Sequence, residues 1–227
     1  MKLLGIFGDS SASPNISFNY SWVELLEEEY EFENFAVQGS SLLYTYSQLI
    51  THGHKFKNLI VFIAPVGRVW APNCKIQQHF VNQLTVERYE NFSGYTDKNI
   101  LNAVKLYFNN LWVDEKERLQ QRAIVDSIRI NFPNALLIPV TPYSIYDWPI
   151  TKMCMHYISL LDYEHYNIHE YTPDWGRTCH MNKENNRIFF TIIKNWLVTK
   201  KFDMTIDMFK YPVETKEELF PKNENKH

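Results

Sequence analysis

The sequence predicts an α/β domain built on a mostly parallel sheet. Short apolar runs at residues 3–7, 58–64 and 134–140 read as strands. Segments with helical periodicity lie between them. The run at 58–64 (NLIVFIA) is apolar almost throughout, as expected of a strand buried on both faces. Strands that alternate with helices pair in parallel, because each crossover returns the chain in the same direction.

Each element has a local warrant. Residues 3–7 end in Gly8-Asp9-Ser10-Ser11, a turn signal after a buried strand. In 21–30, Trp22, Leu25 and Leu26 fall at helical spacing with acids on the other side. Residues 31–37 alternate roughly and read as a second strand, closed by Gln38-Gly39-Ser40-Ser41. Residues 41–50 follow as a helix with a Ser cap and with Leu42, Tyr46 and Leu49 on one side. The strand at 58–64 is closed by Pro65-Val66-Gly67-Arg68. Residues 70–98 mix polar and aromatic types and read as an insertion or lid. A single long helix is expected over 99–131, with Ile100, Val104, Leu111, Leu119, Ile124 and Ile128 as its apolar positions. The strand at 134–140 comes next, then a helix at 150–163 and a loop at 164–180. A last helix covers 182–199, with Ile188, Ile192, Ile193, Trp196 and Leu197 as its stripe. The expected organisation is one domain over 1–205 and a C-terminal arm or tail over 206–227.

Composition bounds the function. The chain has 227 residues, 45% of them apolar and 22% charged, which fits a folded domain and excludes a mainly disordered one. A net charge of −3 supplies no basic field, so neither nucleic acid nor a membrane surface is an expected partner. Three cysteines (Cys74, Cys154, Cys179) without regular spacing do not make a disulfide framework. The apolar run at the N-terminus is too short for a secretory signal, and no run approaches the roughly 18 residues of a membrane span. A cytoplasmic, reducing setting is expected; packaging into a virion or another large particle stays open, as does the oligomeric state.

In a parallel sheet the site lies at the carboxyl ends of the strands. That gathers Gly8-Asp9-Ser10-Ser11, Gln38-Gly39-Ser40 and Pro65-Val66-Gly67-Arg68 at one edge. A serine at a strand-to-helix turn presents its hydroxyl above the sheet, beside backbone N–H groups able to hold an oxyanion. Asp9 and Ser10 serve equally as simple caps. His180 falls just before the last helix, which starts at the same end of the sheet, so its imidazole can reach the first loop and take a proton from Ser10; a surface histidine beside a cap looks the same in sequence.

Taken together, Phe7-Gly8-Asp9-Ser10-Ser11, Asn34-Phe35-Ala36-Val37-Gln38-Gly39-Ser40-Ser41 and His180 resemble, in order and spacing, the blocks of the SGNH (GDSL) hydrolase superfamily. The chain is also similar to small SGNH-like proteins of phages. The resemblance spans about residues 3–198. It implies a flavodoxin-like three-layer sandwich, the SGNH hydrolase fold, that cleaves esters through an acyl-enzyme. It implies Ser10 as nucleophile, His180 as base and acid, and the N–H groups of Ser10 and Gly39 as the oxyanion hole.

Two blocks depart from that pattern. The family's Gly-x-Asn-Asp has no counterpart, since the strand ends Ala64-Pro65-Val66-Gly67-Arg68. Loss of one oxyanion donor costs about 100- to 1,000-fold in rate. Arg68 offers positive charge there, either toward the oxyanion or toward an anionic substrate. The family's Asp three residues before the His is replaced by Arg177. Asp174, six before, is the nearest upstream acid, and it also suits a turn after Pro173. Glu170, Asp162 or a Ser-His dyad are the substitutes.

Other patterns carry less. His52-x-His54 and His165-x-x-x-His169 lack a third metal ligand, Cys179 has no geometric claim on His180, and neither a Walker A nor a dinucleotide glycine motif occurs. No cofactor and no metal is expected. Trp70, Trp175 and the aromatics of 143–148 suit a sugar-binding wall or plain packing. The expected function is a serine ester hydrolase removing acyl or acetyl groups, from a small molecule or a glycan. The alternatives are a non-catalytic glycan-binding module or a structural module on the same scaffold.

Overall fold

A computed structural model describes residues 2–13, 21–64, 66–71, 80–81, 98–139, 183–204 and 208. The chain forms two compact units. One comprises Met1–Ser13 and Glu31–Cys154, the other Pro14–Tyr30 and Met155–His227.

The first unit holds the sheet. Its four strands are β1 (Lys2–Phe7), β2 (Phe32–Asn34), β3 (Phe56–Ile63) and β6 (Ala135–Pro139), in the order β2-β1-β3-β6. All three pairings are parallel, with Leu4 beside Phe32, Gly5 beside Leu59 and Val61 beside Leu137. The α/β class with a mostly parallel sheet is therefore as the sequence predicts. The chain winds outward from β1 to β2 and then back past β1 to β3. This reversal puts the switch point between the carboxyl ends of β1 and β3.

Helices α2 (Leu42–His52) and α4 (Asp114–Asn131) pack on one face of the sheet. Leu42, Leu49, Ile124, Val125 and Ile128 meet Phe7, Leu59, Val61, Ile63 and Leu137 there. On the other face Leu4, Ile6, Ile60, Phe62, Leu136 and Ile138 are buried too. Burial of both faces is what a near-continuous apolar strand demands. Ser41 caps α2 by accepting from the Tyr44 N–H at 3.3 Å. His52 stacks on Phe35 and His54 lies against Phe132, so both rings of this His-x-His pair are in aromatic packing.

Two expectations are corrected, for the second strand and for the long helix. The second strand covers only Phe32–Asn34 of the expected 31–37. Of the stretch 70–98 expected as an insertion or lid, Trp70 belongs to β4 (Val69–Trp70), which pairs antiparallel with β5 (Phe80–Val81); residues 72–79 and 82–97 lie outside the described residues. The long helix over 99–131 is two helices, α3 (Lys98–Asn110) and α4. Asn109 and Asn110 favour an end. The Leu111 and Trp112 N–H groups both turn back to the Tyr107 carbonyl, at 2.8 and 3.0 Å. Val113 is extended, and Asp114, Glu115 and Glu117 restart the helix with acids at its positive end. Leu111 and Leu119, expected on the buried stripe, are 66% and 60% exposed.

The second unit contains α1 (Trp22–Glu27) and α5 (Lys183–Thr199), which pack together. Ser21 and Glu24 form a reciprocal capping box on α1. The Trp22 ring meets Phe189 edge-on at 5.2 Å, and Lys194 pairs with Glu29 at 2.5 Å. The Trp22 N–H, an orphan of the first helical turn, donates to buried Asn186 Oδ1 at 3.0 Å. Asn186→Ala removes that buried bond and is expected to cost about 1–3 kcal/mol, read as a fall in the urea midpoint. An unchanged midpoint would show that the bond contributes nothing. Among the described residues no helix is long and apolar enough to cross a membrane. The expected helix at 150–163, the loop at 164–180 and most of the tail at 206–227 lie outside the described residues.

Candidate active site

Three loops meet at the carboxyl edge of the sheet. After β1 the chain makes a turn over residues 9–12, closed by the Ala12 N–H on the Asp9 carbonyl at 3.1 Å. Asp9 Oδ1 accepts the Ser11 N–H at 2.9 Å, a side-chain bond two residues on of the kind aspartate makes in turns. Ser10 lies between them at the crest and is half-buried.

After β2 comes the turn from Val37 to Ser40, closed by Ser40 N–H on Val37 O at 3.0 Å. Gly39 is its third residue, with φ of +75°. That left-handed value suits the third position of a type II turn, where glycine carries no Cβ penalty. The Gly8 carbonyl ties this turn to the first loop, since it accepts the Ser40 hydroxyl at 2.8 Å and the Val37 N–H at 3.0 Å. Asn34 Nδ2 adds a bond to the Ala12 carbonyl at 2.7 Å.

The third loop follows β3 and brings Arg68. Its Nη1 forms an ion pair with Asp9 Oδ2 and reaches the Ser40 carbonyl at 3.4 Å. The Asp9 side chain is fully buried and that of Arg68 is 21% exposed. A single guanidinium thus spans the switch point and links all three loops. Ser10 and Gly39 each lie next to a residue held in this network, which brings them to one edge. Among the described residues no group hydrogen-bonds the Ser10 hydroxyl, or the N–H groups of Ser10 and Gly39.

The close approach of β1 to β3 requires glycine at position 8. A Cβ there would lie 2.5 Å from Phe62 Cβ, an atom fixed to the central strand. Gly8→Ala is expected to cost about 1–3 kcal/mol in urea unfolding, because neither strand can move away cheaply. A loss well below 1 kcal/mol would mean that the sheet yields at this point.

Of the residues singled out in the sequence, Ser10, Gly39 and Arg68 meet at this edge. His180 and Asp174 lie outside the described residues. Sequence reasoning brought Ser40 to this edge and Asn34 into the matched block without their hydrogen bonds, and it missed the buried Gln121, whose Nε2 donates to the Ala64 carbonyl after β3 at 2.6 Å. Asn34 is the polar last residue of β2 and Ser40 follows the glycine of the next turn, and neither position by itself signals a tie between loops. Among the described residues no three His, Cys, Asp or Glu side chains cluster as metal ligands.

These features define an α/β domain with a serine-bearing turn at the switch point of a parallel sheet. No family model and no curated protein matches the sequence. Solved structures do match. A protein from Lactobacillus plantarum is similar over 86% of this chain and 96% of its own, with 13% identity and a TM-score of 0.41. An acetyl xylan esterase, AlAXEase, is similar over 86% and 98%, with 12% identity and a TM-score of 0.36. A member of the lipolytic protein G-D-S-L family from Veillonella parvula is similar over 88% and 100%, with 11% identity and a TM-score of 0.37.

Proposed function

We propose that the chain is a serine ester hydrolase. The observation that carries this reading is the position of Ser10 in the loop after β1 at the switch point, with its own N–H and that of Gly39 unbonded among the described residues. The Ser10 hydroxyl attacks the ester carbonyl while His180 takes its proton. The tetrahedral oxyanion is held by the Ser10 and Gly39 N–H groups. Its collapse expels the alcohol, which receives the proton from His180, and leaves an acyl-Ser10. Water, deprotonated by His180, then releases the acid. Asp174 orients the imidazole in this scheme.

Covalent labelling with a fluorophosphonate tests the proposal. The folded wild type is expected to label, and Ser10→Ala and His180→Ala are expected not to. A wild type that stays unlabelled sinks it. A non-catalytic glycan-binding or structural module is the second reading. The specific observation in its favour is Arg68, which stands where the resemblance calls for an Asn donor and is engaged with Asp9.

A further inference from the structure

A cleft of about 160 Å³ opens in the sheet unit beside Arg68. Arg68, Trp70, Tyr107, Lys116, Glu117 and Gln121 are among its lining residues. They come from the loop after β3, from β4, from α3 and from the first half of α4.

Gln121 indicates that the cleft takes a ligand. The residue is only 6% exposed, and one amide N–H is used on the Ala64 carbonyl. Its Oε1 has no hydrogen-bond partner among the described residues. A buried acceptor left open calls for a partner, because most such atoms in folded proteins have one.

The charges indicate that the ligand is neutral. The Arg68 guanidinium is compensated by Asp9, and Lys116 by Glu117 at 3.7 Å. Among the described residues each cation of the cleft thus already has its carboxylate, and an added anion would face Glu117. What remains is hydrogen-bonding capacity of both kinds: the outer nitrogens of Arg68 and the Lys116 ammonium donate, and Gln121 Oε1 and Glu117 accept. Hydroxyl groups, which both donate and accept, match such a lining. Trp70 supplies an aromatic wall, held by an edge contact with Tyr44 at 5.4 Å. The volume is below the roughly 300 Å³ at which pockets for drug-sized ligands begin, so it suits one ring.

We infer that this cleft binds a single neutral pyranose ring, free or as one unit of a glycan. Gln121 and Arg68 bond its hydroxyls, and Trp70 packs on its C–H face. This binding is independent of acyl transfer. Only its assignment as the alcohol subsite of an ester substrate rests on the hydrolase reading, through Arg68, which touches both the cleft and Asp9.

The test is saturation-transfer NMR on the full chain carrying Ser10→Ala, so that hydrolysis plays no part. The probes are methyl β-glucopyranoside, cellotetraose and glucuronate. Transfer to the ring protons of the neutral glycoside is expected, and a charged analogue should bind no more tightly. Trp70→Ala should weaken binding by about tenfold, as should Gln121→Leu, which removes the open acceptor. Gln120→Ala is an exposed cleft change that leaves the fold alone, and a smaller loss is expected from it. Tighter binding of cellotetraose assigns a glycan unit, and equal binding assigns a free sugar; both support the cleft. No transfer from the neutral glycoside, transfer unaffected by all three variants, or a clear preference for glucuronate overturns it. Sugar binding without fluorophosphonate labelling of the wild type would sink the hydrolase alone, and labelling without sugar binding would sink the cleft alone.

Discussion

Arg68→Met is expected to destabilise the sheet unit by about 3 kcal/mol, the lower end of the range for breaking a buried ion pair. The lower end applies because the Arg68 side chain keeps 21% of its surface, so water screens part of the interaction. Removal of the guanidinium leaves the Asp9 carboxylate in a site with no exposed surface, where among the described residues the Ser11 N–H alone still donates to it. It also frees the Ser40 carbonyl. Arg68→Lys keeps the charge but loses the planar group that reaches two acceptors, so an intermediate loss is expected. The double variant Asp9→Asn with Arg68→Met should recover part of the loss, because neither charge is then stranded. Urea unfolding of all four proteins measures this. Arg68→Met within about 0.5 kcal/mol of wild type, the ordinary range for surface changes, would show that the pair does not hold the three loops together.

That pair also marks where the sequence stopped being legible. Strands β1, β3 and β6 were readable because each is a short apolar run closed by Gly, Pro or a small polar residue, and 56–63 leaves only Lys57 exposed. The Ser41 cap was readable for the same local reason, since it precedes apolar periodicity, whereas the Ser21 cap of α1 was not singled out. The break after Asn110 was hidden, since α3 and α4 stay amphipathic on either side and a stripe can be drawn through Leu111 as if it faced the core. Only the packing decides that Leu111 and Leu119 face solvent. At the site, Ser10 and Gly39 announced themselves through turn chemistry next to strands. The link between Asp9 and Arg68 spans 59 positions and depends on the strand order, which no local pattern encodes. Gln121 was unreadable for a related reason. A glutamine in a polar helix reads as exposed until the end of β3 is placed against it.

The largest effect on activity is expected at Ser10. Ser10→Ala should lower kcat on p-nitrophenyl acetate by about 10⁴-fold or more, because the alanine offers no oxygen for the acyl-enzyme and leaves only the oxyanion donors to act. His180→Ala should do nearly the same, since an unassisted hydroxyl is a weak nucleophile at neutral pH. The two losses should not multiply. Residues that act as one unit lose their joint effect when either is removed, so the double variant is expected to match the single ones. That non-additivity separates a true nucleophile–base pair from two independently damaging substitutions, for which the losses would add in free energy. Asp174→Ala then sorts a triad from a dyad: a large fall in kcat with unchanged fluorophosphonate stoichiometry places Asp174 behind His180, and an unchanged kcat leaves a Ser10–His180 dyad. Full turnover in Ser10→Ala would remove the serine from the chemistry altogether, and the edge that Arg68 ties together would then be a binding surface rather than an acyl-transfer site.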